Sequence, residues 1–403
     1  AVAWALRTLK ADGFANVHAE PVKVPNWQRG EESAAVVAPV RHTLAVTALG
    51  GSVGTRGPLE AAVVEFGSLA ALQSAAPGSL AGKIAFVNVP TPREKDGSGY
   101  GKAGRVRWES GKAAKKAGAA AVLIRSIGTD NDRLPHTGSA GREEDTGGVP
   151  LAALSNPDAD LLHRLVERHG APRLRLTLGC KWLPDADSAN VIAEVPGTDR
   201  AAEVVLLGAH LDSWDLGTGA LDDGAGVGIV TEALRLIAAY GKPRRTVRVV
   251  LFANEESGLA GGKGYAKAHE AELGQHVVAL EADSGTGQGY ATRFLGAPAA
   301  RAAFVEAARP LAALGIAVAD RDAYGGADIG PIRALGVPVV DVAQDMTNYF
   351  DIHHTANDTY DKIDPAALAQ VSTAFALLGH AFATQEGDLG RIPEEKRDRQ
   401  RGH

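Results

Sequence analysis

Cysteine and methionine are nearly missing from these 403 residues, each occurring once, as Cys180 and Met346. A single thiol excludes an internal disulfide and any thiolate metal cluster. A metal site in this chain must therefore draw on histidine, carboxylate and water. An excess of positive charge is absent too: a net charge of -6 and a pI near 6.1 give no electrostatic reason to expect nucleic acid as a partner. No apolar run approaches the roughly 20 residues that span a bilayer, and the stretch Ala117–Ile124 stops at Arg125. The chain opens on alanine and reads as a mature or truncated form whose signal peptide is gone. The expected location is secreted, periplasmic or cell-envelope, without a transmembrane segment. What remains is ordinary for a globular protein, 45% hydrophobic and 22% charged. The length suits one large domain or two ordinary ones, with ample core and no need of staples.

Beyond about Ser188, apolar runs alternate with helical stretches. Asn190–Val195, Val204–Leu207, Val247–Phe252, Val277–Leu280 and Val337–Val342 read as buried strands, and Ala225–Tyr240, Leu259–His269 and Pro298–Leu314 as helices. Such alternation predicts an α/β sheet with helices on both faces. A last helix starts at Pro365 behind the N-cap Asp364 and runs to about Thr384. From about His42 the pattern changes to short β-like runs between Gly- and Pro-rich turns: Thr43–Ala48, Ala61–Glu65, Lys83–Val89, Ala119–Arg125 and Arg173–Leu178. One helix near Arg107–Ala117 and a polar loop, Ile127–Val149, interrupt them. This predicts a β-rich module, residues 42–186, inserted into a larger domain made of 1–41 and 187–403. The helix near Ala3–Ala11 and the run Val17–Val24 then belong to the larger domain, and the charged tail Glu394–Arg401 reads as a solvated end.

In open α/β sheets, functional groups gather at the carboxyl ends of the strands. Here Val204–Leu207 runs into His210 and Asp212, Val247–Phe252 into Glu255-Glu256, and Val277–Leu280 into Asp283. Burying such charges unpaired is very costly, so a cation is their natural partner. Singly, each residue has a plainer reading. His210 can be a hydrogen-bonded structural histidine, Glu255-Glu256 an exposed acidic loop, Asp222-Asp223 a turn, Asp283 a helix cap and His353-His354 a surface pair. Their joint occurrence at strand ends and loops is what points to a metal. A competing motif, Gly224-Ala225-Gly226-Val227-Gly228, opens a helix, but Ile229 stands where a dinucleotide fingerprint needs its last glycine. Those glycines are expected instead to allow tight backbone packing beside Asp222.

Taken together, GAHLDSWDLGTGALDDGAG (208–226), FANEESG (252–258), EADSGTG (281–287), GGADIGPIRALGVP (325–338) and HHTANDT (353–359) resemble the co-catalytic zinc aminopeptidases, in particular their carboxypeptidase Q branch. VPNWQRGEESA (24–34), SGKAAKKAGAAAVLIRS (110–126) and PHTG (135–138) extend the likeness to nearly the whole chain. The resemblance implies a three-layer α/β sandwich with a mixed, mainly parallel sheet, and a protease-associated-like insert that caps it as a structural lid. It implies two zinc ions per chain, one on His210 and Asp283, one on Glu256 and His354, with Asp222 bridging. It further implies Glu255 as general base, Asp212 as the carboxylate orienting His210, and a cis peptide at Asp222–Asp223. Tyr324 sits where some relatives place a tyrosine that stabilises the oxyanion, although Tyr-Gly-Gly-Ala-Asp matches only in part. The expected reaction is hydrolysis of unblocked dipeptides or short peptides through a water or hydroxide shared by the two zincs, releasing the N-terminal amino acid. A homodimer is the expected assembly. Two other readings share the fold: a single-zinc glutaminyl cyclase and a catalytically silent, receptor-like binding protein.

Overall fold

A computed structural model describes residues 1–397. The first of its two sheets has the strand order Ala15–Gln28, Lys181–Val195, Arg245–Phe252, Arg200–His210, His276–Glu281, Val339–Gln344, Gly289–Leu295, Ala317–Val318. The four strands from Arg245–Phe252 to Val339–Gln344 are mutually parallel, with antiparallel neighbours on both sides, so the sheet is mixed and mainly parallel. Period-two alternation sends successive side chains to opposite faces. Val205, Leu207, Val249 and Leu251 enter one core with Ile229, Val230 and Phe375 of the helices Ala225–Tyr240 and Pro365–Thr384. Val204, Leu206 and Val250 enter a second core with Tyr265 and Ile332 on the other face. Helices thus cover both sides, as expected.

Pro365–Thr384 starts behind Asp364, whose carboxylate accepts the Ala366 and Ala367 N–H groups. Contrary to the expectation that no segment approaches span length, this helix is long and apolar enough to cross a membrane. It is a core helix here, burying Val371, Phe375, Leu378 and Phe382. The helix expected over Pro298–Leu314 is broken into a 3-10 turn, a short α-helix Arg301–Ala308 and another 3-10 turn Arg309–Leu314. Pro310, which has no N–H to donate, stands at the second break.

The second sheet runs His42–Leu44, Glu32–Ala38, Arg173–Leu178, Leu59–Phe66, Ile84–Val87, Ala121–Arg125, Leu151–Leu154, Val46–Ala48. It carries two substantial helices, Ser98–Ala117 and Asn156–His169, so the module is α/β rather than simply β-rich. Its limits also differ from those expected. Glu32–Ala38 pairs with Arg173–Leu178 inside the second sheet, while Lys181–Val195 already belongs to the first. The chain therefore crosses between sheets at 29–31 and 179–180, not at 41/42 and 186/187. The tail is docked as far as it is described: Lys396 Nζ lies 2.9 Å from Asp322 Oδ2, and Arg397 Nε donates to the Ile392 carbonyl at 2.7 Å. Its remaining expected solvated positions, 398–401, lie outside the described residues.

Arg29, at the first crossing, fastens the two sheets together. Its guanidinium donates to both carboxylate oxygens of Asp215 (2.8 and 2.9 Å), to Glu32, to the Thr47 and Thr137 hydroxyls and to the Ala48 carbonyl. Such a planar fork is not reproduced by other side chains. Arg29→Met is expected to lower the unfolding free energy by about 2–3 kcal/mol, because several half-buried acceptors lose their donor at once. Chemical denaturation checks this, and a loss under 0.5 kcal/mol would contradict the fastening role.

Candidate metal centre

The strand Arg200–His210 ends on His210 itself, and its parallel neighbours lead into Glu255-Glu256 and Asp283, so these groups emerge along one edge of the first sheet. Asp222 enters from the turn Ala220–Gly224, which joins that strand edge to the helix Ala225–Tyr240. His354 enters from the segment that follows Val339–Gln344. His210 Nε2 lies 3.2 Å from Asp222 Oδ1 and 3.7 Å from Asp283 Oδ1. On the other side of Asp222, His354 Nε2 lies 3.2 Å from Asp222 Oδ2 and 3.0 Å from Glu256 Oε2. The five expected ligands are therefore brought together, with the Asp222 carboxylate between two pairs of donors.

His353 also approaches Asp222, with Nε2 3.4 Å from Oδ2, and its ring stacks on His354 with centroids 3.4 Å apart. Only His354 of the two is also paired with Glu256. The turn around Asp222 is held from outside by Asp358, whose carboxylate accepts the Leu221 N–H at 2.7 Å and the Asp222 N–H at 3.2 Å. Asp223 points the other way, accepting the His210 and Gly226 N–H groups at 3.0 and 2.9 Å. A Cβ at Gly226 would stand 2.0 Å from the Ala282 carbonyl oxygen and 2.2 Å from Asp223 Oδ1, so glycine is needed there for close packing, as expected from the sequence. The Asp222–Asp223 peptide is cis, also as expected.

The electrostatics of this edge ask for a cation. Asp212, Asp222, Asp223, Glu255, Glu256, Glu281, Asp283 and Asp328 crowd it, and among the described residues no lysine or arginine hydrogen-bonds to any of them. Burial pushes Glu255, Asp223 and Asp328 well above the usual carboxylate range, and pushes Glu256 and Glu281 up to about 7. Burial also works against a charged Asp222, but the His210 and His354 imidazoles 3.2 Å away outweigh it and hold that carboxyl well below its ordinary value. Burial likewise disfavours a charged His210, yet Asp222 and Asp283 raise it well above the usual imidazole range. The site thus favours positive charge. His210 Nε2, Asp222 Oδ2 and Glu256 Oε1 are buried atoms without a satisfactory hydrogen-bond partner. Imidazole nitrogens and carboxylate oxygens converging in this way fit zinc.

Two other expected site residues are placed less simply. The Asp212 carboxylate caps the Glu255-Glu256 turn, accepting their N–H groups at 3.0 and 3.3 Å. His210 Nδ1 lies 3.0 Å from the Asp212 backbone carbonyl but 3.8 Å from its carboxylate, so the main-chain oxygen is the nearer group to orient the ring. Tyr324 keeps part of its ring in solvent; its N–H donates to Asp341 and the Arg333 guanidinium lies 4.9 Å from its ring centroid. Burial, then the Glu281 carboxylate, push its phenol up, so it stays protonated at neutral pH. Asp358, Asp328 and Glu281 lie within the motifs already quoted, yet only their burial and contacts reveal a part in the site. Glu281 accepts N–H groups from Ala327, Asp328 and Ile329 and so fastens the strand end to the 325–328 loop.

Binding to the folded state alone stabilises by mass action, about 4 kcal/mol per site at a thousandfold excess over Kd. Zinc is accordingly expected to raise the unfolding midpoint of the wild type. Asp222→Ala, which removes the shared carboxylate, is expected to lose most of that rise in a thermal melt with and without chelator. An undiminished rise would show that Asp222 is not a ligand.

Residues 190–378 match Peptidase family M28. Carboxypeptidase Q from Mus musculus is 36% identical over 387 residues, 96% of this chain and 81% of that protein. Its counterpart in Rattus norvegicus is 38% identical, over 96% of this chain and 80% of that protein. Among solved structures, a peptidase M28 precursor from Shewanella amazonensis SB2B superposes with a TM-score of 0.95 at 47% identity, covering 97% of this chain and 89% of that one. A zinc aminopeptidase from Bacillus subtilis shares the fold, with a TM-score of 0.68 at 19% identity, over 98% of this chain and 90% of that one. The chain belongs to peptidase family M28, with carboxypeptidase Q among its relatives.

Proposed function

We propose that this protein is a zinc-dependent exopeptidase that releases the N-terminal amino acid from unblocked dipeptides or short peptides. In this reading two zinc ions per chain are held by His210, Asp222 and Asp283 on one side and by Asp222, Glu256 and His354 on the other. The observation that carries it is the Asp222 carboxylate standing between two donor pairs, each completed by a histidine nitrogen 3.2 Å from one of its oxygens. When bound, zinc supplies Lewis acidity toward a carbonyl and acidity to a water at neutral pH. Glu255 supplies the base. Its backbone N–H is tied to Asp212, while burial raises its proton affinity. It takes a proton from the attacking water as the water oxygen bonds to the scissile carbonyl carbon. As the C–N bond breaks, the same proton passes to the leaving amine. Tyr324, protonated at neutral pH, is the assigned donor to the developing oxyanion.

The second sheet and its helices are read as a protease-associated-like cap. An exported, homodimeric form is part of the same proposal. Glu255→Gln separates the base from the ligands: zinc content should be kept while kcat falls about 10²–10⁴-fold. Full activity in that variant would end the assignment. A panel of free, N-blocked and C-blocked dipeptides, with and without chelator, tests the substrate class. Preference for N-blocked peptides would overturn the aminopeptidase-type reading, and one tight zinc without dipeptide hydrolysis would favour the cyclase.

A further inference from the structure

His354 stands in the left-handed region of the backbone, with φ of 61°, where a non-glycine residue is strained and needs neighbours to hold it. Those neighbours come from the inserted module. The Thr137 N–H donates to the His354 carbonyl at 3.0 Å, and the Thr137 carbonyl faces His354 Nδ1 at 3.4 Å. One residue earlier, His136 Nδ1 lies 2.7 Å from the His353 carbonyl. His136 Nε2 lies 2.6 Å from Asp130 Oδ1. The His353 carbonyl can only accept, so Nδ1 is its donor, and Asp130 holds the other ring nitrogen. Only 1% of the His136 side chain and 5% of that of Asp130 is exposed.

The ring is also caged. The His136 main-chain N–H donates to the Ser126 hydroxyl at 2.8 Å, and a Cβ at Gly128 would stand 2.2 Å from the ring's Nε2. A Cβ at Gly138 would stand 2.9 Å from His354 Nδ1, so the 135–138 loop lies directly against that ring. The Thr129 N–H, donating to the Phe350 carbonyl at 3.0 Å, adds a third backbone tie to the same segment. Metal-ligating histidines commonly have the other ring nitrogen fixed by an outer partner, and loss of such partners lowers metal affinity about 10–100-fold.

We propose that His136, anchored by Asp130, is a positioning residue for the ligand His354, so that the inserted module builds the outer half of the Glu256–His354 metal site. The module is then a fixed wall of the active site, not only a lid. This rests on the ligand assignment above. Removing the His136 ring frees the His353 carbonyl and lets the strained turn relax, which should weaken one site and spare the other.

The test is zinc competition against a chromophoric chelator, together with the cobalt(II) absorption spectrum of the exchanged enzyme, on wild type, His136→Ala and His136→Asn. Wild type should bind two ions. His136→Ala should keep the His210–Asp283 site, lose affinity at the other about 10–100-fold, and change one component of the cobalt spectrum. The Asn amide can still donate to the His353 carbonyl and should restore most of the loss. A folded His136→Ala with both affinities and the spectrum unchanged overturns the proposal, as does an equal loss at both sites. Should the alanine variant not fold, Asp130→Asn carries the same test, with a smaller shift in the same direction. A wild type that takes up one ion contradicts the two-zinc reading instead, and the same titration still decides the claim for His136 by whether its loss changes that affinity.

Discussion

The Asp222 carboxylate is the point on which the rest of the structure depends. It faces His210 through one oxygen and His354 through the other, both at 3.2 Å, and so joins two elements far apart in sequence. Everything nearby serves to hold it. Asp358 fixes its turn through two N–H groups, Asp223 fixes the backbone of His210, and Gly226 lets the following helix approach. The parallel strands contribute by ending on the same edge, which concentrates buried carboxylates in one place. Such a concentration is unfavourable without a cation, and the raised carboxyls of Glu255 and Glu256 express that cost.

Backbone strain collects where this edge is built. Asn254, just before Glu255, has φ of 62°, Leu259 has 60° and His354 has 61°. None is glycine, so each conformation must be imposed by its surroundings. Near Glu255 the restraint is the Asp212 carboxylate on two N–H groups, whereas at His354 it is the inserted module. Arg29 and Arg93 keep that module in place, Arg93 by pairing with both oxygens of Asp351 in the same segment as His354. The candidate site and the fold therefore meet in the contact between the two sheets.

Much of this was legible in the sequence wherever periodicity and chemistry coincided. The helix Ala225–Tyr240 and the start at Asp364-Pro365 follow directly from apolar spacing and capping. The proposed ligands were readable because each closes a strand or sits in a short polar motif, and the structure gathers His210, Asp222, Glu256, Asp283 and His354. Other elements were hidden. Leu151–Leu154 has a composition as suited to a helix, and Gly289–Leu295 mixes glycine, threonine and arginine so that no clean alternation shows. The Asn156–His169 helix did carry a signal, Ser155 as N-cap with a proline in the first turn, that the sequence analysis did not use. Glu32–Ala38 joined the wrong domain because an edge-to-centre placement depends on its partner, Arg173–Leu178, over a hundred residues away. The part played by PHTG at His354 was beyond reach for the same reason: only tertiary contact reveals it.

A zinc-edge anomalous difference map of the zinc-loaded crystal addresses the shared role of Asp222 most directly. Two peaks flanking its carboxylate are expected, one beside His210 and Asp283 and the other beside Glu256 and His354. A single peak, or two peaks neither of which touches Asp222, would contradict it.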